Sequence, residues 1–166
     1  MKHGRVIFLI SFMVFASFPH VTLASRDEVI EVFRKYQELN ESFLKDVGNI
    51  ELRRSVEEYS ENFYGPKLSE AKSLVCKKKD RVILKAFMNV LVSTRNSANE
   101  YPSWVLGEMF LCQSELVVSE FKKFDQFEEE ILYGKLEFGF LNVTYKKERV
   151  TPRYDSLKQL LESLRP

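Results

Sequence analysis

Apolar residues recur at helical spacing along most of this chain, and polar or glycine-containing breaks divide the pattern into separate elements. Val29, Val32, Phe33, Tyr36, Leu39, Phe43 and Val47 form a first stripe, opened by candidate caps in Ser25 to Asp27 and closed by Gly48. Asn49 then caps a second helix with Leu52, Val56, Tyr59 and Phe63 inward; Gly65-Pro66 stops it, and the two helices are expected to pair as a hairpin. Pro66 suits the opening of a third helix carrying Leu68, Ala71, Leu74 and Val75, which ends in Cys76 and the run Lys77, Lys78, Lys79. Asp80 caps a fourth, in which Val82, Ile83, Ala86, Phe87, Val90 and Leu91 keep the period to about Arg95.

The stretch from Asp80 to Phe124 has the densest apolar periodicity, the only Trp and one of the two Cys, and reads as the buried centre. After the polar turn Asn96 to Asn99, Tyr101-Pro102 opens a helix through Trp104, Val105, Met109, Phe110 and Cys112. Gln113-Ser114 marks either a bend in it or the start of a separate helix with Leu116 and Val117, ending near Phe124. Asp125 caps the next element. There Leu136, Phe138 and Phe140 alternate like a strand while Ile131, Leu132, Leu136 and Phe140 fit a helix, so residues 136–145 read both ways; the helical reading extends to about Leu141. A charged link from Lys146 to Arg153 leads to a last short helix through Leu157, Leu160, Leu161 and Leu164. Seven or eight amphipathic helices in antiparallel pairs, without convincing strand pairing, define an all-α fold.

Paired helices joined in sequence, with Pro66 and Pro102 near helix starts and Asp80-Arg81 near the start of a second helix, resemble the two-helix units of HEAT or armadillo-like repeats over Pro66 to Asn142. The chain departs from those families in lacking a clear internal repeat of their period. The resemblance implies a curved stack used for protein binding; a compact irregular helical bundle is the alternative architecture.

The first residues change the picture of where this domain works. Lys2 and Arg5, an unbroken apolar run from Val6 to Phe18, then Pro19 and the small-residue site at Thr22 and Ala24 have the three parts of a cleaved secretory signal. The apolar run is about 13 residues, short of the roughly 20 that span a bilayer. Cleavage after Ala24 would leave residues 25–166 as one domain, without stable membrane insertion. The short basic start and plain signal point to a bacterial envelope, in the periplasm or outside the cell.

Removal of the signal takes two basic residues and no acid, so the 24 acidic residues would outnumber the basic ones by one. That balance disfavours nucleic acid as a partner, since neutralising many phosphates needs a basic excess. Both histidines, His3 and His20, lie in the signal. A mature chain without histidine has no base for a Ser-His-Asp or Cys-His relay and no ligand for the common His-containing zinc sites. Gly-rich phosphate loops, nucleophile elbows and dinucleotide fingerprints are also missing from the sequence, so no cofactor and no metal are expected.

Cys76 and Cys112, the only cysteines, are expected to form a disulfide in an oxidising compartment. Closing a loop of about 37 residues would stabilise the fold by roughly 3 to 4 kcal/mol. The triple lysine complements a helix carboxyl end. Glu128, Glu129 and Glu130 fan around the first turn of a helix, where acids are favoured, rather than converging on a metal. Trp104 reads as core, and Gly107 as the site of a close helix contact beside it. Asn40-Glu41-Ser42 and Asn142-Val143-Thr144 match the glycosylation acceptor pattern, which has meaning only in a eukaryotic host.

The function expected from this pattern is binding of another protein by an exported, non-enzymatic helical domain, for instance an immunity or inhibitor type protein. The alternative is a carboxylate-dependent hydrolase acting on envelope polysaccharide, for which Glu100 and Glu108, flanking the Trp104 segment, are the candidate pair.

Overall fold

The computed structural model describes residues 26–95, 97–144 and 152–166, which fold as α1 (Arg26–Lys45), α2 (Ile50–Tyr59), a π-helical turn (Ser60–Tyr64), α3 (Gly65–Lys78), α4 (Arg81–Ser93), α5 (Tyr101–Cys112), α6 (Ser114–Phe121), α7 (Gln126–Thr144) and α8 (Pro152–Glu162). The signal segment and the link Lys146–Thr151 lie outside the described residues. Among the described residues every regular element is helical, so the fold is all-α. Residues 136–144 are helical, and α7 runs past Leu141 to Thr144.

Local chemistry sets several of the element boundaries. Asn49 Oδ1 accepts from the amides of Glu51 and Leu52, and Asp80 Oδ1 from those of Val82 and Ile83, each filling orphan donors of a first turn. Asp125 and Glu128 form a reciprocal box in which each side chain accepts from the other's backbone N–H, at 2.9 and 3.1 Å. Lys79 ends α3 in the left-handed conformation, φ 54°. The Gln113 question is settled as a break: its non-helical backbone, φ −143° and ψ 54°, separates α5 from a short α6.

Gly65-Pro66 does not stop the second helix, contrary to the sequence expectation. The rod continues from Ile50 to Lys78 because the backbone widens into a π turn, with Gly65 N–H donating to Ser60 O five residues back. Pro66 lacks an N–H, but it sits where the bonding changes from the π to the α pattern. The added residue shifts the inward face by one position. Leu52, Val56 and Tyr59 face in along α2, but Tyr64 follows in place of Phe63, then Leu68, Ala71 and Val75. Phe63, expected inward, is 53% exposed.

Offsets between contacts reveal helix directions. Arg26 pairs with Asp80 and Phe33 packs on Phe87, both 54 residues apart, so α1 and α4 run parallel. Lys72 pairs with Glu108 and Cys76 is bonded to Cys112, both 36 apart, so α3 and α5 run parallel too. The short turns from α1 to α2 and from α3 to α4 make those neighbours antiparallel, with Tyr36 stacked between Tyr64 and Tyr59. The most extensive contacts join α1 with α4 and α5 with α7, pairs separated in sequence by other helices. One core runs through all of this, including Phe33, Phe87, Met88, Phe110, Phe121 and Phe140.

The closest approach is between α5 and α7. A Cβ on Gly139 would lie 1.9 Å from Ser103 O, and one on Gly107 2.4 Å from the Gly139 carbonyl carbon. The two backbones are therefore in direct contact, as expected for Gly107. That crossing turns Val105, Leu106, Met109 and Phe110 inward and leaves Trp104 on the outer face, 42% exposed, beside the exposed Tyr101 one turn earlier. The expectation that Trp104 is core fails for this reason. Helix α5 is apolar nearly all round, and its period alone does not say which face is covered.

Candidate functional site

Where the carboxyl ends of α1 and α4 meet α2, an open groove of about 470 Å³ enters the surface. Its walls are Tyr36, Phe43 and Leu44 from α1 and Val56 from α2; its far side is the segment Ser97–Asn99. That segment is held by its own polar groups. Ser97 N–H donates to Thr94 O, Asn99 N–H to Ser97 Oγ, and Tyr101 N–H to Asn99 Oδ1, which links the end of α4 to the start of α5. The π turn contributes Ser60 and Glu61 to the lining, and such turns concentrate at functional sites.

The floor is polar although it sits at core depth. Asn40, Ser93 and Thr94 are each 7% exposed. Both hydroxyl donors and one N–H of Asn40 are spent on their own helices: Asn40 Nδ2 donates to Tyr36 O at 2.8 Å, Ser93 Oγ to Val90 O at 2.9 Å and Thr94 Oγ1 to Val90 O at 2.8 Å. The charged members of the lining are Arg53, Glu57 and Glu61, with Arg53 Nε bonded to Glu57 Oε1 at 2.9 Å. A groove of this volume, with apolar walls and a few convergent polar groups, has the character of a recognition site.

Two further polar features lie elsewhere. Glu120 is 2% exposed and compensated by Arg81 at 3.0 Å and Lys123 at 2.6 Å, which ties α6 to the start of α4. The Tyr64 hydroxyl is buried without a hydrogen-bond partner, and burial, with Tyr36 adding to it, pushes its pKa well above the phenol value. Burial lowers the pKa of Lys135 on α7.

The sequence-predicted candidates distribute as follows. Cys76 and Cys112 are bonded, with Cα atoms 5.5 Å apart, and Gln113 Nε2 donates to Cys76 O beside them. Glu100 immediately precedes α5 and Glu108 lies two turns into it, about 12 Å further along the axis at 1.5 Å per residue. Glu108 is bonded to Lys72 Nζ at 2.8 Å. Neither glutamate lines the groove. Glu128 serves the cap of α7, and Lys77 to Lys79 are exposed at the end of α3. Asn142 is exposed on α7, whereas Asn40 is buried in the groove floor with its amide engaged, which leaves no room for a glycan on the folded chain.

Sequence reasoning did not single out the groove. A signal was present: Asn40 follows Tyr36, and Ser93 and Thr94 follow Val90, at inward positions of otherwise apolar stripes. Among the described residues, no group of three or more His, Cys, Asp or Glu is arranged to hold a metal ion, and no helix is long and apolar enough to cross a membrane. No protein-family model, curated protein or solved structure matches the chain.

Proposed function

We propose that this protein is exported and acts by binding another protein through the groove between α1, α2 and the end of α4. The observation that carries the reading is the groove itself, with aromatic and aliphatic walls over a buried polar floor and a charged rim. Its open mouth suits a segment of a protein partner that inserts one side chain, the usual way a small interface concentrates its binding energy. The secretory pattern of the first 24 residues and the Cys76–Cys112 bridge support an oxidising compartment as the place of action. A small inhibitor or immunity protein, neutralising a toxin or hydrolase by contact, is the simplest form of this activity. Helix pairs around one core supply the kind of face that a HEAT- or armadillo-like stack uses for protein binding.

Cross-linked capture from an envelope extract of the source cells, comparing the unaltered protein with Ala98→Trp, tests this. Ala98 is exposed and lines the groove, so a tryptophan there fills the mouth without entering the core. The expected result is a stoichiometric protein partner whose capture falls by about tenfold or more in the variant, at an unchanged melting temperature. Undiminished capture by Ala98→Trp, or the absence of any captured protein, overturns the proposal.

A further inference from the structure

The ends of two helices set the electrostatics of the groove. Because α1 and α4 run parallel, both carboxyl ends reach it, through Phe43 and Leu44 on one and Ser93 and Thr94 on the other. A helix carboxyl end carries about half a negative charge on its orphan carbonyls; Lys45 offsets that of α1 in its last turn, whereas α4 has no basic residue in its own. The floor adds acceptors. The Tyr36 carbonyl fixes the orientation of the Asn40 amide, since the reverse would set two oxygens against each other, and Oδ1 remains without a partner among the described residues. The Ser93 and Thr94 hydroxyls have given their protons to Val90 O and keep their lone pairs. At the rim, the charge of Arg53 is balanced by Glu57 through its Nε, and Glu61 is the excess charge.

We infer that the groove receives a lysine or arginine side chain of the partner protein. Its methylene stem lies against Tyr36, Phe43, Leu44 and Val56, and its cationic head lies among Asn40, Ser93, Thr94 and Glu61. The inference rests on the groove being the protein-binding site and adds what the partner presents to it. A carboxylate in the same place would meet acceptors, Glu61 and the uncompensated carboxyl end of α4, and a plain aliphatic side chain would leave those acceptors dry and unpaired.

The test uses four capped pentapeptides with glycine ends, leucine flanks and a central arginine, lysine, leucine or glutamate. Each is titrated into the folded protein and followed by amide chemical shifts at the groove. The arginine or lysine peptide is expected to bind about fivefold or more tightly than the leucine and glutamate peptides. Glu61→Gln, at an exposed position, and Asn40→Leu, of similar volume, should bring that ratio towards one. Glu61→Gln keeps the test decisive if Asn40→Leu folds poorly. Equal binding of the leucine peptide, preference for glutamate, an unchanged ratio in Glu61→Gln, or no shifts with any peptide overturns the inference. Should the peptides fail while Ala98→Trp still abolishes partner capture, the groove stands as the protein-binding site and only its cationic occupant is removed. Capture insensitive to Ala98→Trp removes the groove itself.

Discussion

Tyr64 and Gly139 show how much a single position decides here, and in opposite directions. Tyr64 is the core residue that closes the π turn, stacked on Tyr36 with ring centroids 4.2 Å apart, and its hydroxyl has no partner. A buried unsatisfied hydroxyl costs about 1–3 kcal/mol, so Tyr64→Phe should raise stability by roughly 1 kcal/mol in urea unfolding. The same substitution should alter the alkaline limb. Burial raises the Tyr64 pKa, so above the ordinary phenol value, about 10, the unfolded chain releases this proton while the folded chain keeps it. Stability is therefore whole below pH 10 and falls as pH climbs towards the folded value, and Tyr64→Phe should flatten that fall. Tyr59, shifted the same way by burial, retains a smaller part of it. Gly139→Ala works against the fold, because its Cβ would meet the Ser103 carbonyl at 1.9 Å and backbone cannot step aside as a side chain can. A loss of about 3 kcal/mol or more is expected, whereas Gly134→Ala, where the same atom meets open space inside a helix, should gain up to about 1 kcal/mol.

Among the elements, the rod from Ile50 to Lys78 depends on one residue more than an α-helix would use. In a regular α-helix the inward stripe of Leu52, Val56 and Tyr59 would continue to Phe63, and Gly65-Pro66 then reads as a stop. The π turn rotates the later half by one position, and Leu68, Ala71 and Val75 reach the core. Deleting Asn62, exposed and inside that turn, should restore α periodicity and turn either α2 or α3 away from its partners. Asn62→Ala should change stability by under about 0.5 kcal/mol, whereas the deletion should abolish cooperative thermal unfolding or lower the midpoint by more than 10 °C or so. Similar midpoints for the two variants would show that the turn is incidental. The caps were legible beforehand because Asn49, Asp80 and Asp125 act on amides two or three residues away. At Gln113 the sequence left a bend or a separate helix open, and packing decided for the separate helix. The non-helical backbone of Gln113 lets α6 bring Glu120 under Arg81, a contact 39 residues away in sequence.

At the scale of the whole molecule, the parallel pair α3 and α5 is held twice. The disulfide joins Cys76 to Cys112, and one turn earlier Lys72 meets Glu108 in the same register. Reduction should lower unfolding free energy by about 3–4 kcal/mol through the entropy returned to the unfolded chain. Helical circular dichroism of the reduced protein should persist in buffer, because the core of Phe87, Met88 and Phe110 does not depend on the bridge. Loss of that signal on reduction alone would mean the bridge, not the core, holds the fold. The same arrangement creates the groove, since only the parallel course of α1 and α4 brings both carboxyl ends to one place.

The sequence by itself determined the all-α class, most helix boundaries and the only cysteine pair available. Helix period, caps and proline positions act over a few residues and are written locally. The tertiary structure decided the rest: the π turn, the exposure of Trp104, the choice of Gly139 as the partner of Gly107, and the burial of Asn40, Ser93 and Thr94 under a groove. Each depends on which helix packs against which, and in which direction. A stripe of apolar residues states that a face is covered but not by what, and α5, apolar on nearly every side, does not even state which face. Only the assembled neighbours, through contact distance and the need to satisfy buried polar groups, choose among the arrangements the local pattern allows.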